Sequence, residues 1–268
     1  MKIIVFQGGL GNQIFQYALC LYLQKNRSYK LKYIFTGNAH NGMEITKYFD
    51  VELHEANLFW NKLYTILNKL SHRGFKPLTS YEGDTYPFKK LFIEGYWQDK
   101  KYFCDKFIKF KNLELSEKNR FALNRIQSEN SVCIHIRRGD YLLPYYHRIY
   151  GNICTKWYYQ KAIEIITQRI NNPSYFIFSD DIDWVKENLI IDNATYIDWN
   201  TGHNSIFDMF LMANFKANII ANSSFSFWGA YLNPGSPIVI YPQKWFNAVY
   251  PVPDIFPTSW IGIESSSS

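Results

Sequence analysis

Hydrophobic and polar positions along the chain switch repeatedly between two periods. Lys2–Gln7 is a short β-rich run that stops at Gly8-Gly9-Leu10-Gly11. From Asn12, residues Ile14, Phe15, Ala18, Leu19 and Tyr22 recur at helical spacing, which predicts strand, glycine turn, helix. Leu31–Phe35 predicts a second strand and Leu91–Ile93 a short third one, while 79–88 reads as loop. Leu58–Leu70 is a helical stretch with Leu63, Tyr64, Leu67 and Leu70 on one side. A helix is expected over Ser116–Gln127, with Ser116 as its cap and Asn119 weakening the capping-box match. The second half alternates more regularly. Strands are expected at Val132–Ile136, Tyr175–Phe178, Ala194–Ile197, Asn218–Ala221 and Pro237–Tyr241, and helices at Trp157–Ile170, Asp183–Asn188, Ser205–Asn214 and Ser223–Leu232. Such alternation argues for an α/β protein with mainly parallel sheet. A boundary near Asn130 divides it into residues 1–130 and 131–268.

Composition narrows the class. With 268 residues, 47% of them hydrophobic and 19% charged, the chain is neither disordered nor collagen-like, and its length suits one large or two small domains. The 21 Tyr, 21 Phe and 8 Trp favour a surface that binds something flat, such as a base or a sugar ring. The net charge of +6 is concentrated: 56–125 holds 14 Lys and Arg against 7 Asp and Glu, the remainder 15 against 16. That field favours a phosphate, a nucleic acid or an anionic membrane, although a solvated basic face explains it equally well. Four cysteines without CxxC or zinc-finger spacing read as free thiols in a reducing compartment. The opening strand does not resemble a signal peptide, and no run of 18 apolar residues occurs, so a cytoplasmic location is expected. Leu58–Leu70, carrying Lys62 and Lys69, is a candidate to rest on the inner face of a membrane; packing within the first domain is the competing reading.

Three blocks carry candidate chemistry. Gly9-Leu10-Gly11 opens like a dinucleotide fingerprint, but Ile14 replaces the third glycine and Lys32 stands where an acid is needed, so a nicotinamide or flavin site is rejected. A glycine turn at a helix N-terminus remains, able to face an anion or simply to turn. His135-Ile136-Arg137-Arg138-Gly139-Asp140-Tyr141 follows a strand directly, where open α/β sheets bind ligands. Alternation sends His135 and Arg137 to one face and Arg138 to the other; Arg137 suits a diphosphate, and Arg138 pairing with Asp140 is the structural alternative. Asn222-Ser223-Ser224-Phe225 ends a strand and opens a helix, making either an anion cradle or an ordinary cap. Asp181 and Asp183 form a D-x-D, read either as metal ligands or as acids favoured at a helix N-terminus. Tyr96, Trp97, Tyr145 and Tyr146 are candidates to stack on sugar faces.

Taken together, GGLGNQIFQYA (8–18), HIRRGDY (135–141) and NSSFSFWGAYL (222–232), with GYWQDKKYF (95–103), resemble the bacterial alpha-1,2-fucosyltransferases across nearly the whole chain. Ile14 departs from an expected Met, and Phe227 from a frequent second Trp. The resemblance implies a GT-B-like architecture of two Rossmann-like halves facing across a cleft, the first on the acceptor side and the second binding a GDP-sugar. It implies GDP-fucose as donor, inversion at the anomeric carbon, no cofactor and no metal, with a galactose 2-hydroxyl as acceptor; a lipid-linked glycan as carrier goes with the membrane reading of Leu58–Leu70. Carried onto this chain, Arg137 would hold the diphosphate and His135 would lie near the nucleoside. Asn222, Ser223, Ser224 and Phe225 would line the donor pocket, and Gly11 and Asn12 would face the donor from the other half. Asp181 would accept from a sugar hydroxyl. Asp140 is the candidate base, with His147 and Glu94 behind it; His147 joins the four aromatics on the acceptor side. A different linkage, another GDP-sugar, or a nucleic-acid-binding role for the basic stretch are the alternatives, the last leaving all three blocks unexplained.

Overall fold

The computed structural model describes residues 1–37, 41–71, 90–103, 108–247 and 252–264. The loop expected at 79–88, Cys104 and the serine tail lie outside them. The chain forms two compact units, dividing between Lys111 and Asn112.

The first unit comprises β1 (Lys2–Phe6), α1 (Leu10–Arg27), β2 (Leu31–Phe35), α2 (Ile45–Tyr48), α3 (Leu58–Ser71) and β3 (Phe92–Ile93). Its sheet has the order β2-β1-β3, and both pairings are parallel. All five residues of β1 are buried, as a central parallel strand covered on both faces requires. Ile3 and Val5 pack with Ile34, Phe92 and Tyr64, against Trp60, Leu63 and Leu67 of α3. Of the helical stripe expected of α3, Leu63, Tyr64 and Leu67 face the core, whereas Leu70 is exposed. α1 buries Ile14, Phe15, Leu19 and Leu23 and packs along β1. Gly8 makes that entry possible. Its φ is +76°, and a Cβ there would lie 2.8 Å from Asn12 Nδ2.

The second unit begins with α4 (Glu117–Ser128) and β4 (Ser131–Ile136), followed by α5 (Pro144–Tyr150) and α6 (Lys156–Thr167). Then come β5 (Ser174–Ser179), α7 (Ile182–Asn188), β6 (Ala194–Ile197), α8 (Ser205–Met212), β7 (Ala217–Ile219), α9 (Ser224–Tyr231), β8 (Ile238–Pro242) and β9 (Ile261–Ile263). The sheet order is β6-β5-β4-β7-β8-β9, parallel throughout. Side chains of β4 alternate between two cores. Val132, Ile134 and Ile136 meet Tyr158, Tyr159, Ala162 and Ile166 of α6, whereas Cys133 meets Ala122 and Ile126 of α4 and Leu211 and Met212 of α8. This sandwich of helices around a parallel sheet is the α/β class expected.

Three features depart from expectation. The units divide one helix earlier than residue 130, because α4 belongs to the second unit. Asn119 and Asn200 exchange side-chain hydrogen bonds of 3.0 and 2.9 Å, and Trp199 Nε1 donates to Asn119 Oδ1 at 2.8 Å. α5 had no apolar period to announce it, although Pro144 at its first turn is a start signal. β9 is three residues long, too short to show a period.

Candidate active site

In the second sheet the chain leaves β4 in both directions, to β5 and β6 on one side and to β7, β8 and β9 on the other. The β4–β7 junction is therefore the topological switch point, and its carboxyl edge is where open α/β sheets bind ligands. Two of the sequence blocks end there: HIRRGDY continues β4, and NSSF continues β7. The first sheet has the same arrangement. GGLGNQ leaves the carboxyl end of β1, and GYWQ leaves β3 beside it.

Arg137 is held between two carboxylates. Its Nη2 lies 2.7 Å from Asp140 Oδ1 and its Nη1 2.7 Å from Asp180 Oδ2. Burial alone would lower the guanidinium pKa, but Asp180 and Asp140 outweigh it and raise the pKa. Asp180 is the residue that sequence reasoning missed. It follows β5, whose register sets Ser179 beside Ile136, so the chain ends of β4 and β5 meet. Its other oxygen, Oδ1, accepts from the Arg138 backbone N–H at 2.8 Å. Arg138 does not pair with Asp140. Its Nε donates to Asp181 Oδ2 at 2.9 Å, and its guanidinium lies 3.7 Å above the Trp184 ring. Asp181 Oδ1 also caps α7 by accepting from Trp184 N. Asp181 thus has a structural role, and its part-exposed carboxylate keeps acceptor capacity. Asp183 is exposed, and no group of three or more His, Cys, Asp or Glu among the described residues is arranged to hold a metal.

His135 sits behind Arg137, buried, with its ring 6.1 Å from that of Phe225. Its Nδ1 has no hydrogen-bond partner among the described residues. Burial, helped by the nearby Arg137 charge and opposed by Asp180, brings its pKa down to about 4, so the imidazole is neutral near pH 7. Ser223 caps α9 by accepting from Phe225 N at 3.3 Å, while Ser224 and Phe225 are half-buried on its first turn. Asn222 is not free to contact a ligand through its side chain. Its Nδ2 donates to the carbonyls of Tyr150 and Trp245, its Oδ1 accepts from Cys154, and its own carbonyl accepts from Tyr141. It pins the β7 loop to the loop after β4. Phe227 is fully buried among Trp228, Tyr231, Phe256 and Trp260, so that departure falls in an aromatic core.

In the first unit Gly11 is buried and Asn12 half-buried, and Asn12 Oδ1 accepts from Gln98 at 3.2 Å, joining the two blocks at the strand ends. Gln13 and Gln16 explain the rest of the glycine block. Gln13 donates to the Gly8 and Gly42 carbonyls and accepts from Glu44 and Ile45, and Gln16 bridges Gln7 to Gly95. Of the expected stacking residues, Tyr96, Tyr145 and Tyr146 are exposed, and His147 is half-buried with its ring over Gly151. Trp97 is not available: it is 1% exposed and packs edge-on against Tyr102.

The sequence matches the family model described as "Glycosyl transferase family 11" over residues 1–264. It is 34% identical to an alpha-1,2-colitosyltransferase of Escherichia coli, across 98% of this chain and 100% of that one. A galactoside 2-alpha-L-fucosyltransferase of Bos taurus is 25% identical over 54% of this chain and 41% of its own length. Among solved structures, NodZ alpha-1,6-fucosyltransferase soaked with GDP-fucose superposes with a TM-score of 0.50 over 87% of this chain and 93% of that one, at 12% identity. The fold is GT-B.

Proposed function

Because the chain belongs to glycosyl transferase family 11, we propose that it moves L-fucose from GDP-fucose to a hydroxyl of a glycan. The acceptor group in this reading is the 2-hydroxyl of a galactose, joined in alpha-1,2 linkage with inversion and without a metal. The observation that carries it is Arg137, fixed by two carboxylates at the switch point beside a buried neutral His135 and the capped start of α9. As the acceptor oxygen bonds to the anomeric carbon, the bond from that carbon to phosphate breaks and GDP leaves with the electron pair. Negative charge then grows on the diphosphate, where a preorganised guanidinium stabilises it most. Asp140 and Asp180 leave other N–H groups of Arg137 for phosphate oxygens. Asp140 stands one turn away and takes the acceptor proton in this reading; Ser224, Phe225 and His135 line the nucleoside side. Exposed aromatic faces for an acceptor are offered by Tyr96 in the first unit and, separately, by Tyr145 and Tyr146 in the second. A GDP-release assay with GDP-fucose and a panel of galactosides tests it. No turnover and no donor binding would sink it.

A second donor has its own support, the colitosyltransferase likeness across nearly the entire chain. Colitose is fucose without its 3-hydroxyl. A site built to hydrogen-bond that hydroxyl rejects the deoxy sugar by roughly 10⁴-fold or more, whereas an apolar site rejects the extra hydroxyl by only about 10². The ratio of kcat/KM for the two GDP-sugars therefore tells which donor the site was built for.

In this proposal the reaction runs in the cytoplasm, at the inner face of a membrane carrying lipid-linked glycans. No described helix is long and apolar enough to cross a membrane. Support for surface attachment comes from α3, whose outward side exposes Leu58, Phe59, Ile66 and Leu70 among Lys62 and Lys69, with no acidic residue on the helix.

A further inference from the structure

The first unit holds a cavity of about 320 Å³ whose lining includes, of the residues named above for the chemistry, only Glu94, an alternative to Asp140 as base that this cavity places in another role. Gln7, Thr36 and Glu94 reach it from the carboxyl ends of β1, β2 and β3, and Asn61, Tyr64 and Asn68 reach it from one side of α3. Spacings of three, four and seven residues put those α3 side chains on one face. Two features fix what can enter. First, among the described residues the lining carries no cation and one carboxylate, Glu94, which disfavours an anionic ligand such as a nucleoside diphosphate. Second, its neutral groups offer both donors and acceptors. The side-chain amides of Asn61 and Asn68 have no hydrogen-bond partner among the described residues. Glu94 Oε1 accepts from the Tyr64 hydroxyl at 3.1 Å. Burial, with Glu94 beside it, pushes the Tyr64 pKa far up, which keeps that hydroxyl a donor and leaves Glu94 Oε2 for another partner. The volume is at the small end of the roughly 300–1,000 Å³ of ligand pockets.

We infer that this cavity is a subsite for one neutral sugar ring of the glycan acceptor. Glu94 accepts a hydrogen bond from a ring hydroxyl, and Asn61 and Asn68 contact its neighbours. The inference rests on the transferase reading but commits to a place separate from the Arg137 cluster. The test is saturation-transfer NMR on the whole protein, using neutral methyl glycosides of galactose, glucose and N-acetylglucosamine, with galactose 1-phosphate as the anionic control. At least one neutral glycoside is expected to receive transfer while the phosphate receives far less. Glu94→Gln and Asn68→Leu should each weaken it by about tenfold or more, the range for a hydrogen bond to a charged group in the first case. Their calorimetric affinity for GDP-fucose should be unchanged. The subsite is overturned if no neutral glycoside binds, if both variants bind it as well as the parent, or if glycoside and donor affinity fall together with the melting temperature. Glycoside binding without any GDP-fucose binding removes the fucose reading and leaves the subsite standing.

Discussion

Gly139 holds the Arg137 cluster open. A Cβ there would stand 2.5 Å from Asp180 Oδ2, the oxygen that pairs with Arg137. Gly139→Ala must therefore push the Asp180 carboxylate away, a shift costing about 1–3 kcal/mol. The expected result is a loss of roughly ten- to a hundredfold in transfer rate, with a melting temperature lowered by only about 2–10 °C. Arg137→Ala should cost about 10²–10³ in rate in a folded protein, and Arg137→Lys should recover little, since a point charge cannot reproduce the fork. Near-normal turnover in either variant separates Arg137 from the diphosphate. His135 also acts on stability. Its pKa is about 4 in the folded chain against 6.5 ordinarily, so between those values the unfolded state binds more protons. Stability then falls as pH drops from 6.5 towards 4, and His135→Leu should flatten that slope. At this scale the sequence displayed the arginines and His135 but not Asp180, which becomes their neighbour only through the β4–β5 register.

Elements were more legible than their partners. Most expected strands and helices begin and end within a few residues of the observed ones, because period 2 and period 3.6 are local properties. What each element packs against is not local, and α4 shows the cost. Asn119, which looked like a flaw in a capping box, is 1% exposed and ties α4 to Asn200, which in turn donates to Asp208 on α8. Asn119→Ala leaves those groups unsatisfied and should destabilise the fold by about 1–3 kcal/mol in urea unfolding. Burial raises the Asp208 pKa to about 8 from 3.8, against the opposing pull of Asn200. The folded state thus holds that proton more tightly. Its contribution is complete below 3.8 and is lost as pH rises through 8. Between pH 6.5 and 8, where the opposing His135 slope fades, the melting temperature should fall with rising pH in the parent and lose that fall in Asp208→Asn. The His135 effect is best read in that same background.

For the molecule as a whole, the repeated strand–helix alternation foretold the α/β class, and the three blocks foretold the family. The order of strands was not readable, because alternation does not say which parallel strands are neighbours. The basic excess also stayed ambiguous in the sequence, and α3 carries only Lys62 and Lys69 of it. Liposomes of anionic lipid should carry the protein upward on flotation at low salt and release it at high salt. Leu58→Ser with Phe59→Ser should abolish this without lowering the melting temperature, and an absence of salt-sensitive flotation in the parent returns α3 to a purely packing role. One last consequence comes from β9. Among the described residues it pairs only with β8, in the register Ile240 with Ile261, and it is the last strand of its sheet in chain order. During synthesis the other five strands can assemble first, leaving the backbone N–H and C=O groups of β8 as an open template beside the buried Val239 and Ile240. A chain stopped at residue 258 should therefore retain most of its helical circular dichroism yet aggregate, recruiting through β8 the same strand from another nascent copy.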